Sequence, residues 1–270
     1  MNNNYFKVEI ADKIAQVFFD NPRKANALNM DAWVEMQTIF ETLSKSEDVR
    51  VIVLAGEGKH FCAGIDLELL MSIVKFQDIS CTGKQSEKVR ELILKLQQAI
   101  TAIEKCSKPV LAAIHNGCIG GGVDIATACD MRYCTEKAYF TVKEIDLGMV
   151  ADLGTLQRLP KIISTGMAAE MAYTGRKVFG SEAKNIGLVN QCYDSKEALL
   201  EGVMEIAATI ATKSPVSIRG TKDILRYTRD HSVDDALNYM STWNAAMLLS
   251  EDLTEAFKAT MEKRLPKFDD

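Results

Sequence analysis

Three consecutive glycines, Gly120 to Gly122, follow an apolar run (Pro109 to Ile114) and lead into an Ala-rich segment that opens near Val123. Glycine has no Cβ and tolerates positive φ, so the backbone can turn sharply there and a ligand can approach it closely. A helix starting at such a turn aims unpaired N–H groups and the positive end of its dipole at one point, which suits a developing negative charge. Two carboxylates, Glu144 and Asp152, follow in a stretch poor in cations. A backbone anion site close to carboxylates is what proton transfer next to a carbonyl requires.

The elements that hold these residues follow from hydrophobic periodicity. Residues 5–10 and 14–19 read as two strands joined by a short turn. Asn29 is placed to cap a helix running to about Ser44, with Trp33, Met36, Ile39, Phe40 and Leu43 on one face. The β-branched run Val49 to Ala55 reads as a buried parallel strand. A glycine-rich turn and a helix opening near Asp66 follow it. Residues 75–88 are the most polar and least periodic and read as a mobile loop, before a long helix from about 86 to 105 and a strand at 109–114. This alternation of strands and helices gives an α/β class. From Asp194 onward the pattern is helical. Asp194 with Glu197 reads as a capping box for a helix at 195–212, and Ser214-Pro215 opens 215–229. Ser232 with Asp235 starts 233–248, and Ser250 starts a last helix to about Arg264. The expected organisation is a core over 1–193 and a C-terminal helical region over 194–270.

The chain has 270 residues, 47% of them apolar and 26% charged, with a net charge of −5. It can bury a sizeable core, and no basic stripe points to nucleic acid or an acidic membrane surface. The seven cysteines are scattered, with no CxxC pair or Cys/His cluster, so neither a metal site nor a disulfide framework is expected. No run approaches the roughly 18 apolar residues of a membrane span. The opening MNNNYFKVEIADK has neither a signal-peptide core nor an Arg-rich amphipathic leader, and PKFDD is no peroxisomal address. These features make a cytoplasmic location the expectation.

Four separated motifs resemble the crotonase, or enoyl-CoA hydratase/isomerase, superfamily: RKANAL at 23–28, FCAGIDL at 61–67, NGCIGGGVDIATACDMRY at 116–133 and FTVKEIDLGMVADLGTLQRLP at 140–160. The last two are most similar to its dienoyl-CoA isomerase branch. The resemblance implies a spiral of ββα units and a C-terminal helical region that makes trimer contacts, commonly within a dimer of trimers. It implies an acyl-CoA thioester as substrate, with coenzyme A as part of the substrate and no separate cofactor or metal. The backbone N–H groups of Ile65 and Gly121 would hold the thioester oxygen as it takes on enolate charge. Asp124, Glu144 and Asp152 match the three acids of the branch. Hydratases usually carry glutamate at the first two positions and an apolar residue or glycine at the third. The implied reaction moves a proton from C2 to C6 of a dienoyl chain, a span of four carbons that two carboxylates can serve. Glu144 is assigned as base at C2 and Asp152 as acid at C6, or the reverse, with Asp124 tuning or orienting them. Three nearby carboxylates cannot all ionise freely, so at least one pKa should be raised. For CoA, the resemblance implies the carbonyls of Ala25 and Ala27 and a basic residue near Lys24 meeting phosphate, while Ala63, Gly64, Ile65, Asp66 and Leu67 line the thioester.

Competing readings are an enoyl-CoA hydratase or mono-ene isomerase on the same scaffold, a non-catalytic acyl-CoA-binding protein, and an RNA-binding relative. Asp152 and the aspartate at 124 speak against the first, the presence of all three acids against the second, and the acidic balance against the third. Asp146, Asp130, Arg132, His60 and His115 read as structural.

Overall fold

The structure is a computed structural model that describes residues 4–270. Phe6–Ala11 (β1) and Ile14–Phe19 (β2) form the expected antiparallel pair. Asp12 and Lys13 both adopt positive φ, 50° and 64°, as a two-residue turn matched to strand twist requires. Met30–Lys45 (α1) follows, and its cap Asn29 accepts the N–H of Ala32 at 2.9 Å.

The chain then repeats one plan. Val51–Gly56 (β3) leads to an extended bend at 61–65 and to Leu67–Ile73 (α2), followed by Thr82–Lys105 (α3). Val110–Ile114 (β4) leads to Gly117–Ile119 (β5) and Gly121–Ala128 (α4). Met131–Thr135 (β6) leads to Tyr139–Thr141 (β7) and a 3-10 turn at Lys143–Leu147. Two short helices, Thr155–Arg158 (α5) and Thr165–Thr174 (α6), are followed by Val178–Phe179 (β8), Gly180–Asn185 (α7) and Gln191–Tyr193 (β9). Four helices close the chain: Lys196–Ala211 (α8), Pro215–Asp230 (α9), Val233–Met247 (α10) and Glu251–Met261 (α11).

The first strand of each unit enters a six-stranded sheet in the order β1-β2-β3-β4-β6-β9, parallel after the first pair. The second strand enters a smaller sheet, β5-β7-β8, which a bridge between Cys62 and Cys118 extends toward the 61–65 bend. This is the ββα spiral that the motifs implied.

The large sheet is buried on both faces, which is why its central strands read as unbroken apolar runs. Ile52 and Leu54 of β3 face α1, α3 and α4, while Val51, Val53 and Ala55 meet Leu199, Val203 and Ala207 of α8. Thus α8 is a layer of the core, and α9–α11 lie beyond it.

Three boundaries differ from expectation. Most of the polar stretch at 75–88 is ordered, with a 3-10 turn at Val74–Asp78 and α3 beginning at Thr82. The first turns of α3 bury no residue fully, so they carry no apolar period to reveal them. The cap of α8 is Ser195, whose Oγ accepts the N–H of Ala198 at 3.1 Å, one residue beyond the expected Asp194. The last helix ends at Met261 rather than near Arg264.

Candidate active site

The site grows from equivalent junctions of three successive units. In the first, the bend past Cys62 turns at Gly64 (φ 80°) and presents Ile65 ahead of α2. In the second, β5 turns at Gly120 (φ 51°) and presents Gly121 as the first residue of α4. In the third, β7 runs into the turn that carries Glu144. The three junctions touch. A Cβ built on Gly64 would lie 2.7 Å from the Gly121 nitrogen, and one built on Gly120 would lie 3.0 Å from Glu144 Oε1.

Among the described residues, neither the Ile65 nor the Gly121 N–H has an acceptor, although their neighbours do. Leu28 N–H donates to Gly64 O at 2.8 Å, Asp66 N–H to Leu28 O at 2.9 Å, and Val123 N–H to Gly120 O at 2.7 Å. Both free amides border a cavity of about 330 Å³ that Glu144 and Asp152 also line. The rest of its wall is aliphatic, including Leu70 and Ile73 of α2, Leu92 and Ile93 of α3, and Met149.

The carboxyls differ in environment. Burial pushes Glu144 up to about 7, with the charge of Asp124 acting in the same direction, and its buried Oε2 has no partner among the described residues. Burial also raises Asp152, although solvent reaches that side chain through the open cavity. Asp124 does not line the cavity. It is fully buried, and burial pushes it up to about 6 against the pull of Thr155, whose N–H donates to Asp124 Oδ1 at 2.6 Å. Since Thr155 opens α5 just after Asp152, Asp124 tethers the segment that carries Asp152. Gln97 of α3 holds the same segment through a 2.6 Å bond to the Asp152 carbonyl. Arg158 reaches the Leu153 carbonyl and pairs with Glu104 at 2.9 Å, and Glu104 also takes Arg229 of α9.

The loop at 23–28 is joined to the AGID turn by main chain. Ala63 N–H donates to Ala25 O at 3.0 Å, and Leu28 bridges Ile65. Asn26, 1% exposed with φ 58°, fans its Nδ2 across the carbonyls of Glu57, His60 and Phe61 at 2.8–3.1 Å. Among the described residues, the Ala27 carbonyl accepts a single long bond, from Asn21 Nδ2 at 3.5 Å. Lys24, the basic residue expected near phosphate, pairs at the surface with Asp66 at 2.9 Å and Glu68 at 3.2 Å, clipping the loop to the start of α2. Asp66 caps α2 through the Glu68 N–H, and Leu67 is largely exposed.

Asn26, Gln97, Arg158 and Glu104 were not singled out from sequence. Only Asn26 carried a signal, an amide inside a motif of the family. The residues read as structural are so placed. Burial pushes His115 down to about 4, and its Nε2 meets Gly58 O at 3.0 Å. Asp146 pairs with Lys143 at the surface. Asp130 pairs with Lys222, and Arg132 donates to the carbonyls of Leu188 and Cys129, so the two do not pair with each other. A larger cavity of about 430 Å³ between α4 and α9 contains none of the proposed catalytic groups.

Comparison with known proteins agrees with this geometry. The family described as enoyl-CoA hydratase/isomerase matches residues 9–270. A peroxisomal Delta(3,5)-Delta(2,4)-dienoyl-CoA isomerase of Arabidopsis thaliana is 50% identical over 256 residues, covering 94% of this chain and 92% of that protein. The mitochondrial isomerase of that name from Mus musculus is 43% identical, over 97% of this chain and 82% of that protein. A crystal structure of a putative enoyl-CoA hydratase from Streptomyces coelicolor superposes with a TM-score of 0.89 at 28% identity, covering 98% of this chain and 94% of that one. These relatives overturn the cytoplasmic expectation, since their names place them in peroxisomes and mitochondria. Net charge and reduced thiols suit any reducing compartment, so composition had no power to choose among them. A match that starts within β1 and continues past α11, joined to relatives above 40% identity over most of their length, makes this chain a member of the enoyl-CoA hydratase/isomerase family.

Proposed function

We propose that the protein is an isomerase that converts 3,5-dienoyl-CoA to 2,4-dienoyl-CoA, as the names of its relatives from Arabidopsis thaliana and Mus musculus state of those proteins. The observation that carries the reading is that Glu144, Asp152 and the two unpaired amides of Ile65 and Gly121 border one cavity. The thioester oxygen accepts both N–H groups, which stabilises the enolate formed when a carboxylate removes the C2 proton. Each such donor typically contributes about 10²–10³ in rate. Glu144 is the base at C2, and Asp152 delivers a proton at C6. One proton leaves and one enters, the double bonds move from 3,4 and 5,6 to 2,3 and 4,5, and no other reactant is consumed. Asp124 acts indirectly, through Thr155, on the segment that carries Asp152. Coenzyme A enters as part of the substrate, held along the carbonyls of Ala25 and Ala27.

The same reading extends to assembly as a homotrimer or a dimer of trimers. Exposed apolar side chains on α9–α11, among them Leu225, Leu237, Phe257 and Met261, with Leu249 between α10 and α11, support a subunit contact there. Light scattering after size exclusion tests this, and a monomer rejects it.

The deciding experiment adds a 3,5-dienoyl-CoA and follows the ultraviolet absorption of the conjugated 2,4-dienoyl thioester. Hydration of a simple 2-enoyl-CoA without any diene shift rejects the isomerase in favour of a hydratase.

A further inference from the structure

We infer that Trp33 is a positioning residue of the reaction: its indole ring backs Gly121 and fixes the separation of the two amides that receive the thioester oxygen. The inference rests on the reading of Ile65 and Gly121 as that clamp. Trp33 lies in the first turns of α1 and is 1% exposed. A Cβ built on Gly121 would lie 3.4 Å from both Cζ2 and Cη2 of Trp33, and 3.3 Å from Gly64 Cα. The far edge of the indole and the two glycine turns therefore meet at one place. Trp33 does not line the cavity, so it acts on the thioester through these turns and not by contact.

The root of the ring is fixed to the other amide. Leu28 N–H donates to Gly64 O at 2.8 Å and Leu28 O accepts Asp66 N–H at 2.9 Å, so Leu28 brackets Ile65 from both sides. The next residue, Asn29, caps α1 through the Ala32 N–H, and its Nδ2 donates to the Tyr5 hydroxyl at 2.8 Å. Trp33 N–H in turn donates to Asn29 O at 3.1 Å. A short series of main-chain bonds thus joins the Ile65 turn to the root of the indole, and the ring spans the remaining distance to Gly121. Since residues 64 and 121 have no side chains, the ring limits how far the Gly121 amide can move away from Ile65.

An unpartnered donor marks the choice of this side chain. A buried indole N–H usually finds an acceptor, yet Trp33 Nε1 is buried with none among the described residues. Leaving a buried donor unpaired is destabilising, and a phenyl or aliphatic side chain on the same face of α1 would avoid that cost. Such side chains lack the fused second ring, whose atoms are the ones that meet Gly121. What the indole supplies and they do not is rigid reach.

The test uses two variants of the full chain, with circular dichroism confirming that each is folded. Trp33→Phe keeps one aromatic ring and withdraws the edge that meets Gly121, and Trp33→Met fills the length with a flexible chain. On a 3,5-dienoyl-CoA each should lose about 10- to 100-fold in kcat, the effect of a small misplacement in the reacting geometry. KM should be nearly unchanged, because the 23–28 loop is untouched. The second readout is the infrared carbonyl stretch of bound 2,4-dienoyl-CoA, isotope-labelled at the thioester carbon. Wild type should lower that frequency relative to the free ester, as two N–H donors require, and both variants should lower it less. A side chain that only fills the core moves neither readout. Wild-type kcat in Trp33→Phe, a loss confined to KM, or an undiminished carbonyl shift in the variants overturns the inference and leaves the isomerase standing. A wild type that shows neither diene shift nor carbonyl shift overturns the clamp itself, and this inference with it.

Discussion

Gly64 and Gly121 pack back to back: a Cβ on Gly64 would lie 2.7 Å from both the Gly121 nitrogen and the Ile119 carbonyl oxygen. The two amides proposed to hold the thioester oxygen are thus spaced by a gap that no other residue can occupy. Gly64→Ala adds a methyl group there at a φ of 80°. It is expected to lower kcat on a dienoyl-CoA by about 10²–10³, the effect of misplacing one donor. Steady-state kinetics check this, with circular dichroism confirming that the variant is folded.

Asp152→Asn keeps the size of the side chain and removes its exchangeable proton. The diene shift should fall by about 10²–10⁴. Affinity for a CoA ester, measured by calorimetry, should be unchanged, because the amides and the 23–28 loop are untouched. A normal diene shift in the variant keeps the reaction and rejects Asp152 as its acid.

Glu144 predicts two pH effects. As a base it must be ionised, so kcat/KM should rise with pH up to about 7, the value to which burial pushes the carboxyl. The same shift acts on stability. Between 4.5 and about 7 the folded state binds this proton and the unfolded chain does not. Stability from this group is therefore present at low pH and lost as pH rises through that window, by up to about 3 kcal/mol. Glu144→Gln should flatten the fall in denaturation midpoint across the window and abolish the pH limb of activity. A variant that keeps the wild-type slope removes Glu144 as its source.

Asn26→Ala deletes a buried amide that serves three carbonyls and accepts the Asn21 N–H at 3.0 Å. Leaving those groups unpaired should destabilise the fold by about 2–4 kcal/mol. Because the same amide ties the 23–28 loop to the AGID approach, KM for the CoA ester should rise more than kcat falls. Urea unfolding and steady-state kinetics measure the two effects separately.

Much of this was legible in the sequence, for definite reasons. The strands β3 and β4 are buried on both faces and announced themselves as continuous apolar runs, and the caps Asn29, Ser214, Ser232 and Ser250 stood one residue before their helices. The free amides of Ile65 and Gly121 were marked by glycines that only a close backbone approach requires. The polar start of α3 was not legible, because its first turns bury no residue fully and so carry no apolar period. Gln97, Arg158 and Glu104 were invisible too. Each acts on a main-chain carbonyl or an ion pair far away in sequence, and nothing local distinguishes it from an ordinary surface residue. Asp124, expected to tune or orient the other two acids, stands behind the cavity wall, tethered to Thr155.

The repetition of one strand-to-helix junction has a consequence for how this protein can change. Its proposed anion clamp consists of main-chain amides from two turns of the spiral, and an amide survives every substitution except proline. The acids instead ride as side chains on the third turn and the segment after it. Substitutions away from Gly64, Gly120 and Gly121 therefore leave the proposed enolate stabilisation in place while altering where protons are taken and delivered. A descendant of this chain can abandon its reaction by losing a single carboxyl and still activate a thioester.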